Sequence, residues 1–187
     1  MSRGVNFILG IFLCTAALIP LLIIAILVKL TSSGPIIFWS SRVGKNNQVF
    51  QMPKFRTMKI DTPPDKASHL LETPETYLTS TGKFLRKTSL DELPQIWSVI
   101  KGDMALVGPR PALYNQDDLI SMRNKVGIQN IPPGITGWAQ ILGRDELPVY
   151  EKVKLDEFYL KNRSLFLDIK ILILTLAAVF NWEQVSH

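Results

Sequence analysis

Residues 5–28 carry no charged side chain, and this run limits the whole fold. As one helix it would be about 36 Å long, enough to cross a hydrocarbon core of about 30 Å. Three arrangements remain: a cleaved signal peptide, a single-pass anchor, or a helix that enters and leaves the bilayer on the same side. The first fits least, because the run is long and no small-x-small cleavage site follows it cleanly. A single pass is the ordinary arrangement. Pro20, near the middle, removes a backbone donor and predicts a kink. Both flanks are positive: Arg3 lies before the run, and Lys29, Arg42, Lys45, Lys54, Arg56 and Lys59 follow it with no intervening acid. Positive flanks favour the cytoplasm. A single pass must place one of them outside, whereas a re-entrant helix keeps both in. The residues alone leave anchor and re-entry both open.

The basic stretch is interleaved with Phe38, Trp39, Phe50 and Phe55, a pattern that also suits nucleic acid. Next to an apolar run, anionic lipid headgroups are the better partner, and no nucleic-acid partner is expected. The only cysteine, Cys14, lies inside the apolar run, so no internal disulfide can form. The only histidines are His69 and His187, which leaves a His/Cys zinc site or a histidine-based triad poorly supplied. Chemistry in this chain rests on carboxylates, arginines and a metal.

Those groups converge at residues 86–95, Arg86-Lys87-Thr88-Ser89-Leu90-Asp91-Glu92-Leu93-Pro94-Gln95. Ser89 and Glu92 have capping-box spacing. Leu93, Ile96, Trp97 and Ile100 continue as a helical stripe. The expected helix covers 89–101 and ends at Gly102. Asp91 then falls in the first turn, where outward N–H groups stabilise anions. Plain helix capping explains two acids there. Pro94 adds a second possibility: in an α-helix it leaves the Leu90 carbonyl without its partner. A carbonyl beside Asp91 and Glu92 would be an oxygen-rich corner suited to magnesium.

Elsewhere, Ile36-Ile37-Phe38-Trp39 and Gln48-Val49-Phe50 flank Gly44-Lys45-Asn46-Asn47, a hairpin signal. The proline- and hydroxyl-rich residues 61–80 read as a mobile loop with at most a short helix, suited to a lid. Gly108-Pro109-Arg110-Pro111 presents an arginine between two rigid prolines. Pro132-Pro133-Gly134-Ile135-Thr136-Gly137 reads as a stiff turn. Residues 148–162 are amphipathic and helical, and carry Asp156 and Glu157. Residues 165–180 are apolar apart from Asp168 and Lys170, and predict a helix packed on the core or lying at a membrane surface.

Taken in order, the apolar helix with its mid-proline, Arg42-Val43-Gly44, Lys54-Phe55-Arg56-Thr57-Met58, Gly82-Lys83-Phe84-Leu85-Arg86, the Asp91-Glu92 segment, Lys101-Gly102-Asp103-Met104, Gly108-Pro109-Arg110-Pro111 and Pro133-Gly134-Ile135-Thr136-Gly137-Trp138-Ala139-Gln140 resemble the bacterial sugar transferase family. The match is to its small, monotopic polyprenyl-phosphate phosphoglycosyl transferases. The resemblance implies an α+β, mostly helical fold with a small β-hairpin and amphipathic helices at the membrane interface. It implies a re-entrant membrane helix over 1–30, broken at Pro20, and a catalytic domain over 31–187. The location implied is the cytoplasmic face of the bacterial inner membrane, and an oligomer is allowed.

The activity implied is transfer of a phosphosugar from a UDP-sugar to polyprenyl (undecaprenyl) phosphate, with release of UMP, as the first membrane step of surface glycoconjugate assembly. In this resemblance Asp91 is the nucleophile that forms a covalent aspartyl intermediate, and Glu92, with Asp91, holds Mg2+. Arg56, Arg86 and Arg110 are expected near phosphates and Asp156 near the site. Three places depart from the family pattern: Pro53, Pro132 and Gly143-Arg144-Asp145-Glu146. Two other functions use the same residues. One is a metal-dependent glycosyltransferase that releases UDP; the other is a non-catalytic, membrane-anchored basic adaptor.

Overall fold

The computed structural model describes residues 1–62, 74–143 and 147–180. The uncharged run folds as two helices. Helix α1 (Arg3–Ala16) and helix α2 (Leu18–Thr31) meet at an angle of 60°. The sequence placed this break at Pro20; it falls at Ala17, one turn earlier. The reason is steric. A proline ring presses on the carbonyl four residues back, here Ala16, where α1 ends. Pro20 itself sits in the first turn of α2, where N–H groups have no helical partner to lose. Neither helix alone is long and apolar enough to cross a membrane, whereas the bent pair passes by length and composition.

One edge of this pair is built into the rest of the molecule. Asn6, buried in α1, accepts a hydrogen bond from the Leu106 amide at 2.9 Å and donates to the Ser2 carbonyl at 2.9 Å. Gly10 lets α1 approach closely, since a Cβ there would sit 3.1 Å from Ile100 Cγ1. Ile24 and Val28 of α2 pack with Phe55 and Leu85. The other face is open and apolar, with Phe7, Ile8, Phe12, Ile19, Leu22 and Leu30 exposed.

The hairpin forms as its turn residues predict. Strand β1 (Ile37–Val43) pairs antiparallel with β2 (Val49–Phe55), in a register running from Ile37 opposite Phe55 to Val43 opposite Val49. Asn46 and Asn47 take positive φ in the connection, a region that asparagine tolerates. Two short helices follow, α3 (Pro74–Tyr77) and α4 (Ser80–Lys87). Most of the expected 61–80 loop lies at 63–73, outside the described residues, and so does any lid.

After α5 (Ile96–Lys101), Gly102 closes the helix in the left-handed region at φ 91°, as expected. Strand β3 (Ala105–Val107) then pairs in parallel with β4 (Gly134–Thr136). The sequence reading made the second segment only a turn. Gly134 explains its composition: a Cβ there would lie 2.1 Å from the Gly108 amide nitrogen, so only glycine allows the contact. Between these strands lies helix α6 (Asp117–Lys125), and after them α7 (Trp138–Gly143), α8 (Val149–Asn162) and α9 (Leu165–Phe180). The main core joins Met52, Val99, Met104, Leu106, Val107, Ile131, Tyr159 and Ile171.

Helix α9 turns its acid inward. Asp168 is 1% exposed; it accepts from the Tyr159 hydroxyl at 2.7 Å and pairs with the Met1 amino group. Leu165, Phe166, Ile169, Ile173 and Leu176 face outward. An acid inside and leucines outside suit an apolar surrounding better than water.

Candidate active site

Asp91 and Glu92 lie on a 3-10 turn, Leu90–Gln95, which leads directly into α5. The capping box expected from Ser89 and Glu92 does not form. Ser89 adopts a left-handed conformation, φ 56°, and its side chain caps nothing. The chain must reverse between α4 and α5 within a few residues, and the tighter 3-10 geometry does this. Bonding from i to i+3 also corrects the reading of Pro94. In this geometry the carbonyl that loses a donor to Pro94 is that of Asp91 and not that of Leu90. Trp97, placed by spacing in the buried stripe, points outward.

Glu92 is held by two cations on one oxygen. Lys54 Nζ lies 2.7 Å from its Oε1, and Arg110 Nη2 lies 3.1 Å from the same atom. Burial favours the neutral acid, but Lys54 and Arg110 together outweigh it and hold Glu92 well below the usual carboxylate range. Burial pushes Lys54 itself down, opposed by Glu92. Asp91 is 7% exposed, and the two cations that contact Glu92 make no such contact with it. Burial pushes its carboxyl up to about 6, the charge of Lys54 opposes this, and Glu92 adds to it. Arg86 and Arg110 also pull Asp91 down. Adjacent residues thus have separated acidities: Glu92 is a fixed anion, and Asp91 titrates near neutrality.

Arg86 sits in the last turn of α4 and donates from Nε to Thr57 Oγ1 at 3.0 Å. The structure therefore brings Arg86, Arg110, Asp91 and Glu92 together, as expected, and adds Lys54. With three cations and two carboxylates the site is net positive, which suits a phosphate-bearing substrate. Lys54 was quoted in sequence only as part of a string. Its signal was the lysine in a strand that ends beside the dyad.

Two expected residues lie differently. Arg56 is 6% exposed and donates from Nη2 to the Ser32 carbonyl and hydroxyl, at 2.9 and 2.7 Å. It ties the end of β2 to the end of α2, and the cations acting on Asp91 are Lys54, Arg86 and Arg110. Gly34, at φ 110°, gives it room, since a Cβ there would lie 2.2 Å from Arg56 Nη1. Asp156 is 2% exposed and is engaged by Arg123, from Nε at 3.0 Å and Nη2 at 2.5 Å. Arg123 was missed; its partner is 33 positions away, and nothing local marks it.

A divalent cation here would have two protein carboxylates to bind. Among the described residues no group of three or more His, Cys, Asp or Glu side chains converges. Magnesium is commonly held by one or two carboxylates with substrate phosphates completing its shell. The Asp91-Glu92 donor set fits that mode, with Glu92 kept ionised.

The described residues thus join a bent apolar helix pair, an outward-facing apolar helix and a carboxylate pair ringed by Lys54, Arg86 and Arg110. Residues 1–182 match the bacterial sugar transferase family, and the chain belongs to it. It is 43% identical over 175 residues to the sugar transferase EpsL of Bacillus subtilis, covering 94% of this chain and 84% of that protein. It is 41% identical over 159 residues to the UDP-glucose:undecaprenyl-phosphate glucose-1-phosphate transferase of Escherichia coli, and 39% identical over 166 to that of Xanthomonas campestris. Those alignments cover 81% and 85% of this chain but only 34% of each relative, so the chain spans about a third of their length.

Proposed function

We propose that this protein transfers a sugar phosphate from a UDP-sugar to polyprenyl phosphate and releases UMP. The observation that carries the reading is Asp91: a buried carboxylate, ionisable near neutrality, surrounded by Lys54, Arg86 and Arg110. The named activities of the Escherichia coli and Xanthomonas relatives support the substrate pair.

In the first step an Asp91 carboxylate oxygen attacks the phosphorus that bears the sugar. The new bond is an acyl phosphate, and the bond that breaks joins this phosphorus to the bridging oxygen, which leaves with UMP. In the second step the lipid phosphate attacks the same phosphorus. A sugar diphosphate lipid forms and Asp91 returns as a carboxylate. Two displacements keep the two anionic substrates from having to meet at once. Lys54, Arg86 and Arg110 offset the charge that gathers on the phosphates. Mg2+, held by Glu92 and Asp91, would supply further neutralisation of the diphosphate. The bent helix pair, re-entrant with both positive flanks on the cytoplasmic side of a bacterial inner membrane, sets this site at the height of the acceptor phosphate.

The test is incubation of the purified protein, in a membrane mimetic with magnesium, with a panel of UDP-sugars and undecaprenyl phosphate. UMP from the wild type and none from Asp91→Ala is the expected result. UDP as the product, or equal UMP from both proteins, overturns the reading.

A further inference from the structure

The loop that presents Arg110 is held through its carbonyls. Four in succession are engaged: Pro109 O by the Gly134 amide at 2.9 Å, Arg110 O by Arg123 Nη1 at 2.8 Å, Pro111 O by Arg42 Nη1 at 3.1 Å, and Ala112 O by the Val43 amide at 2.9 Å. Prolines 109 and 111 have no N–H to offer, so the segment can be fixed mainly as an acceptor. Arg123, among these donors, is anchored by a buried charge. It is 9% exposed, and two of its guanidinium nitrogens are taken by Asp156 Oδ2. The third is aimed at the Arg110 carbonyl. From there the chain of contacts continues through the Arg110 side chain to Glu92 Oε1.

A buried ion pair is a weak source of net stability, because both charges lose water. Its strength is geometric: a planar fork fixed by a carboxylate holds a third group at a set angle. Asp156 is too enclosed to meet substrate.

We propose that Arg123, oriented by Asp156, is a positioning residue: it fixes the backbone at Arg110 so that the Arg110 guanidinium is preset against Glu92 and the incoming phosphates. This rests on the transferase reading above. The substitution Arg123→Lys keeps a cation for Asp156 but has one nitrogen, which cannot serve Asp156 and the Arg110 carbonyl as a fork does.

The experiment is a double-mutant cycle on kcat/KM for nucleotide release, with Arg123→Lys, Arg110→Ala and both together. Arg123→Lys is expected to lose about 10²-fold, the scale of a small misplacement at a reacting centre. Because it acts through Arg110, the double variant is expected to fall no further than Arg110→Ala alone. A purely structural role would multiply the two losses, and that result overturns the proposal, as does wild-type activity in Arg123→Lys. If Arg123→Lys does not fold, Asp156→Asn takes its place in the same cycle and is read the same way. A wild type that releases no nucleotide from any UDP-sugar refutes the transferase reading itself; an active wild type with multiplying losses refutes only the positioning role.

Discussion

The acidity of Asp91 makes a quantitative demand on the first chemical step. A nucleophilic carboxylate must be ionised. With its value raised from 3.8 to about 6, Asp91 is about nine-tenths ionised at pH 7 and about one-tenth at pH 5. A carboxylate at 3.8 would be almost fully ionised at both. The step in which UMP leaves should therefore slow about tenfold between pH 7 and pH 5. The assay needs care over which group is titrating. A phosphate monoester, such as the lipid acceptor, loses its second proton near pH 6 as well. Omitting the acceptor removes it, and the UMP burst from enzyme and UDP-sugar alone then reports the first step. Measured below saturation, the burst rate constant per UDP-sugar concentration follows the ionisation of the free enzyme. The substitution Lys54→Met supplies the sign. Lys54 is the largest charge holding Asp91 down, so its removal moves the acid limb to higher pH. A burst flat from pH 7 to pH 5, or an acid limb that moves down in Lys54→Met, refutes the assignment of Asp91 as a buried nucleophile.

The same shift bears on folding: ionising Asp91 in place costs about 3 kcal/mol at about 1.4 kcal/mol per pH unit. Its raised value favours the folded form below pH 4, and this help is lost as pH rises through 6, so Asp91→Asn should be inactive yet melt higher than wild type at pH 7, with the gain gone near pH 4. Glu92 runs the other way, since its depressed value stabilises the fold above its unfolded range; Glu92→Gln should lower the melting temperature at pH 7 and narrow the difference in acid. Gly134→Ala should cost several kcal/mol in chemical denaturation, because the added Cβ meets backbone that cannot move aside. Under the re-entrant proposal, cysteines placed at Ser2 and Ser33 in a chain lacking Cys14 should label from the same side, and Pro20→Ala should let α1 and α2 join into one span so that they label from opposite sides.

Local signals carried far in this chain where a single element answers to its own residues. The hairpin followed from asparagines and glycine in its turn, α8 from its spacing, and the end of α5 from Gly102. They misled where a residue acts at a distance along the chain. Pro20 broke the helix three residues upstream, at Ala17, and Pro94 belonged to a 3-10 turn in which a different carbonyl loses its donor. The strand β4 has three residues, too few to show alternation. Asp91, Glu92 and Arg86 crowd around one turn and were legible as a cluster, whereas Arg110, on a separate proline-flanked loop, was placed beside them only by the family resemblance. The Arg123–Asp156 pair was not legible, since only the packing of α6 on α8 makes them neighbours.

Asn6 has a consequence for how portable this catalytic domain is. Anchors in many membrane proteins are interchangeable tethers that can be cut away to leave a working soluble enzyme. Here the amide of Leu106, in the strand next to the Arg110 loop, finds its acceptor on α1. Cutting α1 away would leave that buried donor without a partner and strip the cover from Ile100 and Val99. A truncated chain, or one given a foreign anchor, should lose order first at β3 and then at Arg110. The apolar helix α1 is thus also a wall of the folded domain, and not a tether that can be exchanged.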